Sequence, residues 1–168
     1  SVTVRYQVTV YGEDRVESLP IVADSGGVNA ISDITNASPA VVTTTGTNTF
    51  QDGDEVVIKN VVGMSNINEG RFLVYDRTAT TFSLYTVDNS PVDSTDYGTY
   101  VSGGKALPTF VEVTNSNGTK DNTISWTHTP DAVRYAVYRR SNGIYGLIGE
   151  TTSNFFLDND IAASTGTS

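Results

Sequence analysis

Cysteine is absent from these 168 residues, which excludes disulfides, thiolate metal sites and thiol nucleophiles and leaves packing to hold the fold together. Redox compartment is therefore left open. Charge is also scarce: 17% of residues are charged, and 19 Asp plus Glu outweigh 10 Lys plus Arg for a formal net charge of −9. Nucleic acid and anionic lipid both demand clustered cations, so neither is an expected partner. No apolar run approaches the roughly 20 residues of a membrane helix. The chain begins at Ser1 with neither a basic-then-apolar leader nor an initiator Met, and the expectation is a soluble polypeptide that is processed or is a segment of something longer. Helix formers are few as well. Against 6 Leu and 10 Ala stand 21 Val and 24 Thr, a β-branched balance that suits pleated strands and makes an all-β protein the first inference.

What is present is a succession of short alternating runs. Residues 2–10, VTVRYQVTV, place Val2, Val4, Tyr6, Val8 and Val10 on one face and Thr3, Arg5, Gln7 and Thr9 on the other, the pattern of a strand with one buried face. A turn at residues 11–14 and a return over Arg15–Pro20 predict an N-terminal hairpin. Residues 24–27, DSGG, read as a small polar linker. Short β-rich runs follow at Ala30–Ile34, Ala40–Thr45, Glu55–Val61, Arg71–Asp76, Thr81–Tyr85 and Tyr97–Ser102, with Ser102-Gly103-Gly104 read as a turn into a linker. Such spacing predicts a small barrel or compact sandwich. After a boundary at Pro108 the pattern resumes at Phe110–Val113, Asn122–Trp126, Ala132–Arg139, Gly146–Glu150 and Asn154–Asp158, and Ala162–Ser168 reads as a loop. No window has a helical apolar period of helical length.

Two of these stretches resemble known families. The run NTISW at 122–126 followed by TPDAVRYAVYR at 129–139 resembles fibronectin type III domains, with Trp126 as a buried anchor and Tyr135 and Val137 packed around it. Residues 146–150 and 155–158 are similar to that fold's next two strands, and its closing hairpin is missing from this end. Residues 2–20 are similar to that hairpin. The two pieces together approach one sandwich of about 100 residues. Either the chain closes one permuted sandwich on itself, or residues 1–23 end a preceding domain; we expect Val2–Val10 to pair with Tyr135–Arg139 within the chain.

The middle, with FQDGDEV at 50–56, VVGMSNIN at 61–68 and YGTYVSGG at 97–104, resembles the small β-barrel module named after the first catalytic cysteine half of ubiquitin-activating enzymes. The shared pattern is F-x-x-G-D together with V-x-G-M-x-x-x-N. The expected domains are 1–24 (closing hairpin), 25–107 (barrel) and 108–168 (sandwich strands), an all-β chain with a barrel inserted between or within sandwich segments. Since that barrel recurs in tailed-phage structural proteins, the resemblance implies a virion component, in the tail as a nozzle, adaptor or proximal fibre protein. Its partners would be copies of itself and other virion proteins, with no nucleic acid, membrane or cofactor. The alternative is a carbohydrate-binding receptor segment, which would add a host surface glycan as partner, or a capsid decoration protein.

Catalysis is not expected. Thioester transfer requires a cysteine. A Ser-His-Asp triad would have to run through His128, the single histidine, which precedes Pro130 and reads as a surface turn residue. The pairs Asp52/Asp54, Asp93/Asp96 and Asp158/Asp160 could suggest glycoside hydrolysis, and Asp88, Asn89, Asp93 and Asp96 could suggest calcium, but Asp in Gly-flanked turns more commonly satisfies local amides. Lys105 after Gly104 lacks the rest of a phosphate loop. Among the aromatics, Tyr11, Tyr97, Tyr100 and Tyr145 lie in or beside turns and are the candidate exposed interface residues.

Overall fold

The computed structural model describes residues 2–22, 29–115 and 121–160. It is all-β. Among the described residues, twelve strands run in chain order as β1 (Val2–Tyr11), β2 (Ile31–Ile34), β3 (Val41–Thr44), β4 (Glu55–Val62), β5 (Arg71–Tyr75), β6 (Thr81–Tyr85), β7 (Ser102–Pro108), β8 (Val111–Asn115), β9 (Asp121–Ser125), β10 (Arg134–Ser141), β11 (Ile144–Thr151) and β12 (Phe155–Asn159), with one 3-10 turn at Ser65–Ile67. The chain divides into two compact units, one formed by residues 1–21 with 110–168 and one by residues 22–109. The DSGG linker at 24–27 and the loop at 162–168 lie outside the described residues.

The unit at 22–109 is a six-stranded sheet in the order β2-β3-β6-β5-β4-β7. Its two outer strands meet, because Ala30 bridges Lys105 and the Ala106 amide donates to the Asn29 carbonyl at 3.1 Å, so the sheet curls into a small barrel with no long free edge. Val42, Val56, Ile58, Val74, Phe82 and Leu84 point inward from alternate positions, and Phe50 meets Phe82 edge to face at 5.3 Å.

The two sequence patterns singled out in this segment have local physical reasons. In F-x-x-G-D, Phe50 fills the core, Gly53 takes φ of 88°, and Asp54 closes the turn by accepting the Gln51 amide at 2.7 Å. In V-x-G-M-x-x-x-N, Met64 is fully buried and the Asn68 amide exchanges two bonds of 2.9 Å with the Val61 backbone, doing the work of a paired strand where the chain turns away. Gly63 has φ of 95°, and a Cβ there would stand 2.2 Å from the Thr99 carbonyl oxygen; a Cβ on Gly98 would stand 2.2 Å from the Gly63 oxygen. Two backbones touch at this point, and only glycine on both sides permits it.

One expectation for the barrel fails. Ser102-Gly103-Gly104 is not a turn into a linker but the start of β7, which pairs with β4 from Val62↔Ser102 to Val56↔Pro108. The expected strand Tyr97–Ser102 is displaced accordingly, with residues 97–101 outside any strand. Glycine here marks close approach, since a Cβ on Gly104 would lie 2.5 Å from Val61 Cγ2.

The other unit has a four-stranded sheet, β11-β10-β1-β8, and a two-stranded sheet, β12-β9. Tyr6 and Val8 from β1, Ile124 from β9, Tyr135 and Val137 from β10 and Ile148 from β11 form the core between the sheets. The expected pairing of β1 with β10 is present within the chain, antiparallel from Tyr6↔Arg139 to Tyr11↔Arg134. On the same strand, residues 2–6 pair with β8, while Ser18 and Ile21 donate to the carbonyls of Val10 and Val8 at 2.8 Å each. The return after the turn is therefore hydrogen-bonded to β1 but is not a regular strand; it shares β1 with β8 rather than running its full length. Trp126, expected as a buried anchor, is half-buried at the core margin against Tyr135, and Tyr6 and Tyr135 are the fully buried aromatics of this unit.

A polar chain crosses this core. Tyr6 donates to Asp158 Oδ2 at 2.7 Å and accepts from Asn122 Nδ2 at 2.9 Å, and Arg139 Nη1 donates to both Asp158 oxygens at 2.8 and 3.0 Å. Asp158 is fully buried, so its charge is tolerable only because these donors surround it.

Candidate functional site

Two places on the molecule gather polar and aromatic side chains toward solvent. One is in the sandwich. Alternation on β1 turns Thr9 and Tyr11 away from the core, and Tyr138 on β10 faces the same way. Their three hydroxyls converge on the Glu17 carboxylate: Thr9 donates at 2.5 Å, Tyr11 at 2.9 Å, and Tyr138 makes a third, short bond. Burial pushes Glu17 up, but the three hydroxyl bonds and Arg134 outweigh it and hold the carboxyl below its ordinary range. Burial and the bond to Glu17 raise the Tyr138 phenol above its ordinary value. Arg134 stacks over the Tyr11 ring at 4.1 Å and lies 3.3 Å from Glu150. Every hydroxyl in the group is spent on Glu17, so the cluster works as a latch tying the returning segment to β1 and β10.

The other is in the barrel. On the β5–β6 ladder Tyr75 stands opposite Ser83 and Tyr85 opposite Leu73, which makes the two tyrosines diagonal neighbours on the outward face. Their rings meet edge to face, with centroids 5.1 Å apart at 80°. Asp76, just past β5, and Asn89, in the turn after β6, complete an open pocket of about 250 Å³. Both adopt left-handed backbone, with φ of 51° and 67°, as short Asx side chains tolerate. Tyr75 donates to Asn89 Oδ1 at 2.9 Å.

The four candidate interface tyrosines each have contacts within the chain. All of Tyr11, Tyr97, Tyr100 and Tyr145 are half-buried, two in each unit. Tyr11 belongs to the Glu17 latch. Tyr145 stands opposite Arg140 at the far end of β10, where the guanidinium lies 6.0 Å from the ring centre. The Tyr100 hydroxyl reaches the Ile31 and Gly103 carbonyls at 3.1 and 2.9 Å and so pins the seam where β2 meets β7. Tyr97 lends its carbonyl to the Asn36 amide at 3.1 Å. Sequence reading passed over Tyr75 and Tyr85 because each ends an alternating strand; the available signal was the pairing of a strand-final tyrosine with a following Asx turn, Tyr75-Asp76 and Tyr85 shortly before Asn89.

Of the carboxylates read as turn residues, Asp88 and Asp93 serve locally, whereas Asp52 accepts an amide from another turn and Asp158, on β12, is no turn residue. Asp52 accepts the Arg77 amide at 3.0 Å, Asp93 accepts both the amide and the hydroxyl of Thr95, and Asp88 accepts the Thr86 hydroxyl. Asp158 is the buried counter-ion of Arg139, and Asp160 lies 3.9 Å from that guanidinium. No group of three or more His, Asp or Glu gathers into a metal-holding cluster among the described residues. His128 is exposed, and its Nδ1 lies 2.9 Å from the Tyr135 hydroxyl.

No curated protein matches the chain. Residues 37–108 match the family described as the ubiquitin-activating enzyme E1 FCCH domain. The match covers the barrel from the turn before β3 to the end of β7 and includes both patterns explained above, so this chain carries an FCCH-like β-barrel module.

Proposed function

We propose that the chain is a non-enzymatic structural component of a tailed-phage virion, part of the tail as a nozzle, adaptor or proximal fibre protein, acting by assembly with copies of itself and with other virion proteins. The observation that carries this reading is the insertion, in sequence, of an FCCH-like barrel between the two segments that build one β-sandwich. The sandwich is read as fibronectin type III-like: β1 and its hydrogen-bonded return stand where that fold's closing hairpin would, beside β10 and β11. Hydrogen-bonded sheets with tight glycine contacts resist deformation, which is what a load-bearing part needs. Exposed apolar side chains on each unit, Val62 and Val101 on the barrel and Phe155 and Leu157 on the sandwich, supply contact area for neighbours in an assembly.

Mass spectrometry of purified virions from the phage that encodes the chain should detect it, and gold-labelled antibodies against residues 29–115 should decorate tails. Light scattering on the isolated chain should give a homo-oligomer. A chain absent from the particles overturns the virion reading; labelling confined to the head overturns the tail assignment.

A further inference from the structure

We propose that the pocket formed by Tyr75, Asp76, Tyr85 and Asn89 binds a neutral sugar ring. The site lies wholly within the barrel, and the inference holds or falls independently of the virion reading.

Each wall supplies one part of what a sugar requires. A pyranose presents an apolar patch of C–H groups and a rim of hydroxyls that both donate and accept. The edge-to-face tyrosine pair gives an aromatic, half-buried wall for the C–H patch. The Asn89 amide is oriented by its neighbour: its oxygen already accepts the Tyr75 hydroxyl, which leaves the Nδ2 protons as the donor end. Asp76 is exposed, and among the described residues its carboxylate has neither an ion pair nor a hydrogen-bond donor. A free carboxylate beside a free amide donor matches vicinal hydroxyls, each of which can give to one group and take from the other.

The backbone that carries these groups is held in place before any ligand arrives. Asp76 precedes Arg77, whose amide is bonded to Asp52 and whose guanidinium is bonded to the Asn48 carbonyl at 2.7 Å and to Asn48 Oδ1 at 3.0 Å. Asn89 sits in a turn closed by the Thr86 amide on the Ser90 carbonyl at 2.7 Å, the Ser90 amide on Thr86 Oγ1 at 3.1 Å and the Thr86 to Asp88 bond. Little backbone ordering is left to be done on binding, so even a small site can show measurable affinity.

Charge and size narrow the ligand. Asp76 and the net charge of −9 repel carboxylated and sulfated sugars, which leaves neutral ones. About 250 Å³ with an open mouth suits one ring, the terminal residue of a glycan, and not an extended oligosaccharide. One carboxylate and one amide fall well short of the six to eight oxygens of a calcium site, so a divalent cation is not the better fit.

The test is an NMR titration of the 15N-labelled chain with the methyl glycosides of glucose, galactose, mannose and N-acetylglucosamine, each up to roughly 50 mM, a range set by the weak affinity of single-ring sites. At least one glycoside should shift the amide signals of residues 74–77 and 84–90 saturably, with Kd of about 1–10 mM. Asp76→Asn should weaken that binding at least tenfold while leaving Tm unchanged, because Asp76 supports nothing else in the fold. Glucuronate should not bind. Absence of shifts with all four glycosides, shifts centred elsewhere, undiminished binding to Asp76→Asn, or equal binding of glucuronate would each overturn the proposal.

Discussion

Glu17 is exposed by area and yet accepts three hydroxyl bonds, which makes it sensitive to acid. Its folded-state value lies below the ordinary carboxylate value of about 4.3, so its contribution is present above that pH and is lost as pH falls through the folded value. Solvent screening limits the effect to about 1 kcal/mol. Urea unfolding followed by Trp126, the single tryptophan of the chain and a reporter of this unit alone, should show Glu17→Gln less stable than wild type at pH 7. At pH 3 the gap should narrow; a gap that holds or widens contradicts the latch. Calorimetry separates two aromatic neighbours. Tyr135 is fully buried, so Tyr135→Ala should cost about 3–5 kcal/mol, whereas Trp126→Ala, at a half-buried ring, should cost less.

At the scale of elements the barrel turns on a backbone contact. Gly98→Ala places a Cβ 2.2 Å from the Gly63 oxygen, and the atom it meets belongs to the main chain, which cannot swing aside as a side chain can. A loss of about 1–3 kcal/mol or more from the barrel's transition is expected, while Gly46→Ala, with open space around its Cβ, should be close to neutral. Equal effects would mean that the close approach is not what fixes Gly98. This contact also shows where reading a sequence stops. Strand existence was legible because Val and Thr alternate, as in β1, or cluster between turns, as in β4. The start of β7 was not, because glycine in a strand and glycine in a linker look alike until the opposite backbone is known. The tyrosine pocket was hidden for a related reason: Tyr75 and Tyr85 become neighbours only through the β5–β6 register, and register is not written in either strand alone. The pairing of β1 with β10 could be anticipated from an apolar face in want of a partner sheet, but its register could not. A disulfide designed between positions 9 and 139 would miss, since Thr9 faces Ala136 and Arg139 faces Tyr6.

For the whole molecule the consequence is an asymmetry between the two units. The barrel at 22–109 is continuous in sequence, closes its own seam through Ala30, Lys105 and Tyr100, and keeps its core among its own residues. The sandwich is not continuous. Its central strand β1 lies some hundred residues before β8 in sequence, as the pairing of Arg5 with Glu112 shows, and β1 is hydrogen-bonded to both β10 and β8. Removing β1 takes Tyr6 and Val8 out of the core, leaves the buried Asp158 without one of its donors, and exposes two strand edges at once. A polypeptide of residues 22–109 should therefore melt in one cooperative transition, whereas residues 110–168 alone should show no cooperative melt and disperse poorly in an NMR spectrum. Adding residues 1–21 as a separate peptide should restore dispersion in a saturable titration, because the missing strand is supplied without its tether. A folded 110–168 fragment would show that β1 is a covering strand and not the centre of the sheet. Failure of 22–109 to fold would show that the barrel depends on the sandwich strands that flank it in sequence.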